Sequence, residues 1–142
     1  MGEFDGKVVF ITGIARGQGR NHAIRFAREG ASVIGVDIAR PVSEYITYEQ
    51  TTEDDFHETV RLVEEAGGKI LARIADVRDG AALKAVVDEG VQQFGRLDVV
   101  VANAGICTWN RFWEMPDDQF EELIDINLTG VFKTLKAAAP AM

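Results

Sequence analysis

The chain has 142 residues, of which 46% are hydrophobic and 27% are charged, a composition that predicts one globular domain. Its net charge of −8 argues against nucleic acid and anionic membrane surfaces as partners, because both carry the same sign of charge. The single cysteine excludes an intramolecular disulfide, and no run reaches the roughly 18 apolar residues of a membrane span, so we expect a cytoplasmic protein.

In chain order, short apolar runs alternate with amphipathic segments. The apolar runs predict strands at residues 7–12, 31–37, 69–75 and 97–102. The amphipathic segments predict helices at residues 21–29, 56–66, 81–94 and 117–139, the last one kinked or broken near residues 127–130. Residues 38–55 are mostly polar and contain Pro41, so they are predicted to form a long loop.

Strands that alternate with helices favour parallel βαβ units with right-handed crossovers. The sequence therefore predicts an α/β fold, a Rossmann-type doubly wound parallel sheet with the strand order 3-2-1-4. Four strands and four helices make up one nucleotide-binding half of such a sheet and the start of the second. We expect residues 1–142 to form a single domain of this type, incomplete at its C-terminus.

A glycine-rich segment, Thr-Gly-Ile-Ala-Arg-Gly-Gln-Gly, occupies residues 12–19 between the first predicted strand and helix. Glycines there permit a tight turn and let the backbone approach a pyrophosphate, which the N–H groups of the helix N-terminus can bind. An ordinary turn would also use glycines, but the strand–loop–helix context favours cofactor binding. The residues expected to contact a dinucleotide are Gly13, Arg16, Gly17, Gln18 and Gly19.

An acidic residue, Asp37, ends the second predicted strand eighteen residues after Gly19. A carboxylate at this position can accept hydrogen bonds from the ribose hydroxyls of the adenosine, and it would repel the 2′-phosphate of NADP. The alternative is an aspartate that only begins a turn. We expect Asp37 and the adjacent Ile38 to contact NAD, although Arg40 is close enough to complicate the preference for NAD.

The three-residue gap between Gly13 and Gly17 resembles the glycine motif of the short-chain dehydrogenase/reductase family. Three more segments are similar to motifs of that family, in the same order: Asp-Val at 76–77, Ala-Asn-Ala-Gly at 102–105 and Asp-Ile-Asn-Leu-Thr-Gly at 125–130. The second has alanine where the family pattern has a first asparagine. The resemblance covers essentially the whole chain and implies an NAD-dependent oxidoreductase that transfers hydride between NAD and an alcohol or carbonyl substrate.

The same resemblance assigns roles to residues in the three later motifs. It implies adenine contacts for Asp76 and Val77, although Asp76 could instead cap the following turn. Asn127 is implied to be a member of the catalytic tetrad, where it kinks its helix and holds a water molecule in a proton relay. Further cofactor contacts are implied for Asn103, Ala104, Gly105 and Ile126. For Asn103, a structural role that ties its strand to neighbouring backbone is an equal alternative. No metal site is expected.

A narrower resemblance rests on Gly-Gln-Gly-Arg-Asn-His-Ala at residues 17–23 and on the long loop after Asp37. Both are similar to the carveol-dehydrogenase-like, mycofactocin-coupled subgroup of the family. That subgroup oxidises alcohols or reduces carbonyls of terpenoid type and holds NAD tightly.

The chain departs from the family pattern at the catalytic residues. The family's serine and its Tyr-x-x-x-Lys motif follow the last predicted helix and do not occur in these 142 residues, and neither Tyr45 nor Tyr48 has a lysine four residues later. We therefore expect this chain alone to be inactive; a non-catalytic dinucleotide-binding module and a purely structural fragment are the alternatives. Trp109 and Trp113 either line a substrate pocket or contact another part of the protein. The unpaired fourth strand and the last helix predict a homo-oligomer, unless a separate segment completes the sheet.

Overall fold

The computed structural model describes residues 2–142, which form four parallel strands and five α-helices. The strands are β1 (Val8–Thr12), β2 (Ser32–Asp37), β3 (Lys69–Ile74) and β4 (Val99–Val101). The helices are α1 (Gly17–Arg28), α2 (Glu53–Glu65), α3 (Gly80–Phe94), α4 (Asp117–Ile124) and α5 (Gly130–Ala138). Short 3-10 turns occupy Phe112–Glu114 and Ala139–Ala141.

The sheet has the order β3-β2-β1-β4, and every pairing is parallel, which confirms the predicted topology. The register places Thr12 beside Val36 and Asp37 beside Ile74, so the carboxyl ends of the strands lie along one edge. In doubly wound sheets ligands bind at this edge, where neighbouring connections leave the sheet in opposite directions.

Apolar side chains pack on both faces of the sheet. The central strand β1 is therefore buried along its whole length. Val8 and Phe10 point to the face covered by α3 and α5, whereas Val9 and Ile11 point to the face covered by α1 and α2. A strand buried on both sides needs apolar residues at every position, which is why β1 has no alternation of polar and apolar residues.

Two helices begin three or more residues earlier than predicted. The helix α2 begins at Glu53, inside the segment predicted to be loop, because the Thr52 hydroxyl accepts a hydrogen bond from the Asp55 amide and the Asp55 carboxylate accepts one from the Thr52 amide. The helix α1 begins at Gly17 rather than at Asn21, so the second half of the glycine segment is already helical.

Where the last helix was predicted to be kinked or broken, a π-helical turn over Asp125–Thr129 joins α4 to α5 in a continuous helical segment. Such turns are rare, and they occur mostly at functional positions. Within residues 2–142, no helix combines the length and the apolar character needed to cross a membrane.

Candidate functional site

A cleft of about 490 Å³ lies at the carboxyl edge of the sheet. It brings together twelve of the thirteen residues that were predicted to contact the cofactor, and they come from segments far apart in the sequence. These twelve are Gly13, Arg16, Gly17, Gln18, Asp37, Ile38, Asp76, Val77, Asn103, Ala104, Gly105 and Ile126.

The thirteenth residue, Gly19, lies outside the cleft lining, on the buried face of α1. A Cβ atom there would overlap the carbonyl oxygen of Gly13 and come within 2.8 Å of the Asn103 side-chain amide. Gly13 itself has φ of +76°, and a Cβ on it would lie 2.9 Å from Ala104. Because the two glycines have no side chains, α1 and the end of β4 can lie close to the turn at Gly13. This close packing shapes the cleft.

The N-terminus of α1 opens into the cleft at Gly17 and Gln18, and it has no side-chain cap and no acidic residue in its first turn. The helices α2 and α3 differ, because Thr52 and Asp79 accept hydrogen bonds from their first amides. The first N–H groups of a helix have no partner within the helix and carry the positive end of its dipole. The α1 terminus is thus suited to an anionic group such as a phosphate.

The Asp37 side chain is 7% exposed and holds two turns in place. Its Oδ2 accepts a hydrogen bond from the Ala15 amide, and its Oδ1 accepts one from the Ala39 amide, each at 2.9 Å. The second bond fixes Ala39 at φ of +53°, which is unusual for a residue with a side chain. Oδ1 also accepts a hydrogen bond from the Thr51 hydroxyl at 3.3 Å. Oδ2 has the Ala15 amide as its one partner among residues 2–142, so it can still accept a hydrogen bond from a ligand hydroxyl.

Asp76 lies two residues after β3 and caps the turn that follows, which is the alternative considered for it, and it also pairs with the Arg78 side chain. Its Oδ1 accepts from the Arg78 amide at 2.9 Å and its Oδ2 from the guanidinium at 2.6 Å. Burial raises the pKa of Asp76, but the hydrogen bonds from Arg78 outweigh this effect and hold the pKa below its ordinary value. The cap of α3 is Asp79, which accepts from the amides of Ala81 and Ala82.

The end of β4 is tied to the end of β1 through Asn103. Its side-chain amide donates to the carbonyl of Thr12 at 3.0 Å and to that of Gly13 at 3.2 Å. The Thr12 hydroxyl in turn accepts from the amides of Asn103 and Ala104. This is the structural alternative considered for Asn103, and it occurs at a residue that also lines the cleft.

Asn127 lies in the π-helical turn and binds the loop after β4. Its Oδ1 accepts from the Ile106 amide and its Nδ2 donates to the Ile106 carbonyl, both at 2.8 Å. Asn127 is not part of the cleft lining, whereas Ile106 and Gly105 are. Its side chain thus fixes the backbone on one side of the cleft.

One wall of the cleft comes from the insert, residues 38–52, of which Ile38 was the one residue predicted to contact the cofactor. Val42, Ile46, Tyr48, Gln50 and Thr51 line it, as does Arg40. Gln50 folds the insert back on itself, because its side chain accepts from the Val42 amide and donates to the Ser43 carbonyl. The one sequence signal for this wall was the presence of apolar residues at positions 42 and 46 in a polar segment.

Three large aromatic side chains of the loop after β4 are exposed to solvent. Trp109, Phe112 and Trp113 are 80%, 90% and 77% exposed. Beneath them Gln119, almost fully buried, donates to the Thr108 hydroxyl at 2.8 Å and accepts from the Asn110 amide group at 3.1 Å. Among residues 2–142, no group of three or more His, Cys, Asp and Glu side chains has the arrangement of a metal site.

Comparison with known proteins gives relatives along the whole chain. An NAD-dependent oxidoreductase of uncharacterised function from Mycobacterium tuberculosis is 55% identical over 141 residues, which are 99% of this chain and 51% of that protein. The (-)-trans-carveol dehydrogenase of Rhodococcus erythropolis is 48% identical over 141 residues, 99% of this chain and 50% of that protein. This chain thus spans about half the length of the curated relatives it matches.

Solved structures agree with the sequence comparison. The crystal structure of carveol dehydrogenase from Mycobacterium avium in complex with NAD superposes with a TM-score of 0.95 and 48% identity, covering 99% of this chain and 51% of that one. A short-chain dehydrogenase from Mycobacterium paratuberculosis bound to NAD gives a TM-score of 0.97 and 47% identity, covering 99% and 52%. The family model described as short chain dehydrogenase matches residues 7–142. This chain therefore belongs to the short-chain dehydrogenase family.

Proposed function

We propose that this chain is the nucleotide-binding half of an NAD-dependent oxidoreductase that acts on an alcohol or carbonyl substrate. The observation that carries the proposal is the cleft itself, in which an uncapped helix N-terminus and a strand-end carboxylate face the same space. Relatives of 47–48% identity that were crystallised with NAD support the choice of cofactor. When bound, the nicotinamide supplies the hydride acceptor or donor.

Each part of the cleft has a proposed role in holding this cofactor. The amides at Gly17 and Gln18, with Arg16 beside them, bind the pyrophosphate, and Asp37 with Ile38 binds the ribose of the adenosine. Asp76 and Val77 border the adenine. The residues on the nicotinamide side are Asn103, Ala104, Gly105 and Ile126.

Asn127 is proposed to act next to the reacting groups rather than on the cofactor. By holding the backbone of Ile106 through two hydrogen bonds, it keeps the loop after β4 in one position. The family role of this asparagine in a proton relay stays a proposal. Asn127 is the one residue in the chain to which we assign a catalytic function.

The substrate is proposed to be a bulky apolar alcohol or its carbonyl counterpart. Trp109, Phe112 and Trp113, which lie in the chain shortly after the cleft residues 105–107, give such a molecule an exposed apolar surface. The carveol dehydrogenases among the relatives point to the same class. We further propose a homo-oligomer in the cytoplasm, which assembles through the exposed apolar residues of α4 and α5.

Calorimetric titration tests the cofactor proposal directly. We expect saturable binding of NAD to the 142-residue chain and weaker binding of NADP, because Asp37 would lie close to the 2′-phosphate. Equal or tighter binding of NADP would contradict the assignment of Asp37.

Binding without turnover is the second candidate function, and the absence of a Tyr-x-x-x-Lys motif from the 142 residues favours it for the chain by itself. We expect no NADH absorbance when this chain is mixed with NAD and a secondary alcohol. Reproducible NADH production by the pure chain would show that another residue performs the proton transfer.

A further inference from the structure

The insert touches the loop after β4 and the start of α4, and a tyrosine hydroxyl makes each contact. Tyr48 accepts a hydrogen bond from the Cys107 amide at 3.1 Å. Tyr45 donates to the Asp118 carboxylate, with both carboxylate oxygens at 2.9 Å. Cys107 is the first residue of what we call the aromatic loop, residues 107–116, and Asp118 lies in the first turn of α4, which follows that loop.

The aromatic loop has few other attachments. Its remaining hydrogen bonds stay within the loop or reach α4, as those between Gln119 and the side chains of Thr108 and Asn110 do. Apart from those to α4, the hydrogen bonds that join residues 107–118 to other parts of residues 2–142 come from the two tyrosines. The insert therefore anchors both ends of a loop whose aromatic side chains are largely exposed.

Tyr48 also connects the loop to the cofactor side of the cleft. The guanidinium of Arg16 lies 5.4 Å from the centre of the Tyr48 ring, within the range of a cation–π contact. One residue of the insert thus touches the glycine segment with its ring and the aromatic loop with its hydroxyl. At the other anchor, the hydrogen bond to Asp118 raises the pKa of Tyr45.

We propose that Tyr45 and Tyr48 are positioning residues that hold the aromatic loop, so that the insert determines where Trp109, Phe112 and Trp113 stand relative to the cleft. The hold on the loop is independent of the proposed function. Its consequence for substrate selection rests on that function, since it requires the three aromatic residues to face a bulky apolar substrate.

The chain offers a direct test of the anchors, because its two tryptophans, Trp109 and Trp113, both lie in the aromatic loop. Tyr45→Phe and Tyr48→Phe remove one hydroxyl each and keep the rings. Thr47→Val is the matched control, since it removes an exposed hydroxyl of the insert that makes no hydrogen bond within residues 2–142.

Amide exchange and tryptophan anisotropy give the expected result. Loss of one hydrogen bond should raise the population of conformations in which the loop is detached from the insert about fivefold. The Cys107 amide should therefore exchange about fivefold faster in Tyr48→Phe than in the parent chain. The double Phe variant should also show lower tryptophan anisotropy, whereas Thr47→Val should match the parent chain in both measurements. Unchanged exchange and anisotropy in the double variant would overturn the proposal.

Substrate selection is tested in a full-length oxidoreductase of which this chain is the proposed nucleotide-binding half. The double Phe variant should raise KM for carveol about fivefold and leave kcat and KM for propan-2-ol unchanged, because a small alcohol needs no aromatic wall. An equal loss with both alcohols would overturn the selective role. If NAD fails to bind while the Cys107 amide still exchanges faster, the proposed function fails and the anchoring role stands.

Discussion

Two regions of the molecule differ in how far they bury their apolar side chains. The first, which we call the sealed region, consists of β1–β3 and α1–α3, and the second runs from β4 to Met142. Residues of β1 and β2 such as Phe10 and Ile34 are fully buried. In contrast, nine of the eleven large hydrophobic side chains that are exposed in residues 2–142 lie between Trp109 and Met142. The apolar side chains of the sealed region are largely buried, on one face of the sheet in part by α5 of the second region. The second region also presents exposed apolar surface that is typical of a contact with another polypeptide.

The exposed residues of the second region form one surface. Phe120, Ile124, Leu128 and Phe132 recur every four residues through α4, the π-helical turn and α5, so they lie along one side of the continuous helical segment. We call them the apolar stripe. The three residues of β4 are only half-buried, and β4 pairs with β1 alone.

The largest expected effect comes from the same substitution made once in each region. Phe10→Ala should lower the free energy of unfolding by about 3–5 kcal/mol, because it leaves a cavity in the sealed core. In the dissociated chain Phe132→Ala, at a site that is 60% exposed, should change it by less than about 0.5 kcal/mol. Urea unfolding followed by circular dichroism measures both. A large cost for Phe132→Ala would mean that the apolar stripe is covered in solution.

The second prediction is that the Asp37 carboxylate contributes to cofactor binding as well as to the stability of the fold. Asp37→Ala should relax the preference for NAD over NADP by about 1–3 kcal/mol. Asp79→Ala is the control, because Asp79 also accepts from two backbone amides but lies at the start of α3, outside the cleft lining. Both variants should lose stability, and calorimetry should detect a changed cofactor preference in Asp37→Ala alone.

Much of the sealed region could be predicted from sequence, because local patterns encode it. Uninterrupted apolar runs marked the strands, and glycines between strand and helix marked the cleft. The start of α2 was missed because its capping box ends in Asp55, where the usual pattern has Glu or Gln. Asp37 accepts hydrogen bonds from two turns and also lines the cleft. A role in the turn is therefore compatible with the proposed contact to a ligand.

The wall made by the insert could not be predicted in the same way. Tyr48 and Cys107 are 59 residues apart, and Tyr45 and Asp118 are 73 residues apart, so no local spacing records either contact. Asn127 gave a partial signal, since asparagine is unfavourable inside a helix, and the structure places it in the π-helical turn, bonded to Ile106. The backbone group that the Asn127 side chain binds could not be predicted from the sequence, because it depends on the fold.

The third prediction tests whether the apolar stripe is an interface between copies of the chain. Phe132→Glu should weaken self-association at least about tenfold, because a charge would be buried in the contact. Gln92→Glu adds the same charge at an exposed position on α3 and should leave association unchanged. Sedimentation velocity at several protein concentrations measures the effect. A parent chain that stays a stable monomer of 15.6 kDa at micromolar concentration, with no companion fragment, would contradict the oligomer.

The smallest effect is expected at Asp98, where the sealed region meets β4. Its carboxylate accepts from the Val8 amide at 2.9 Å and from Lys7 at 3.3 Å, and it pairs with Arg96. The hydrogen bond from Arg96, followed by those from Val8 and Lys7, lowers the pKa of Asp98 to about 2. Since the folded pKa lies below the ordinary value of 3.8, the stabilising contribution is complete above that value and is lost as the pH falls towards 2.

Asp98→Asn should therefore reduce stability by about 1 kcal/mol at pH 7, and the difference from the parent chain should shrink between about pH 4 and pH 2. Asp88→Asn is the control, because Asp88 is 59% exposed and pairs only with Lys84 on the same helix. It should cost less than about 0.5 kcal/mol at either pH. Urea unfolding of both variants at pH 7 and at low pH separates the two cases. A constant deficit for Asp98→Asn across this range would mean that β4 is held to β1 by its backbone pairing and apolar contacts, and that the charge of Asp98 adds nothing at the boundary between the two regions.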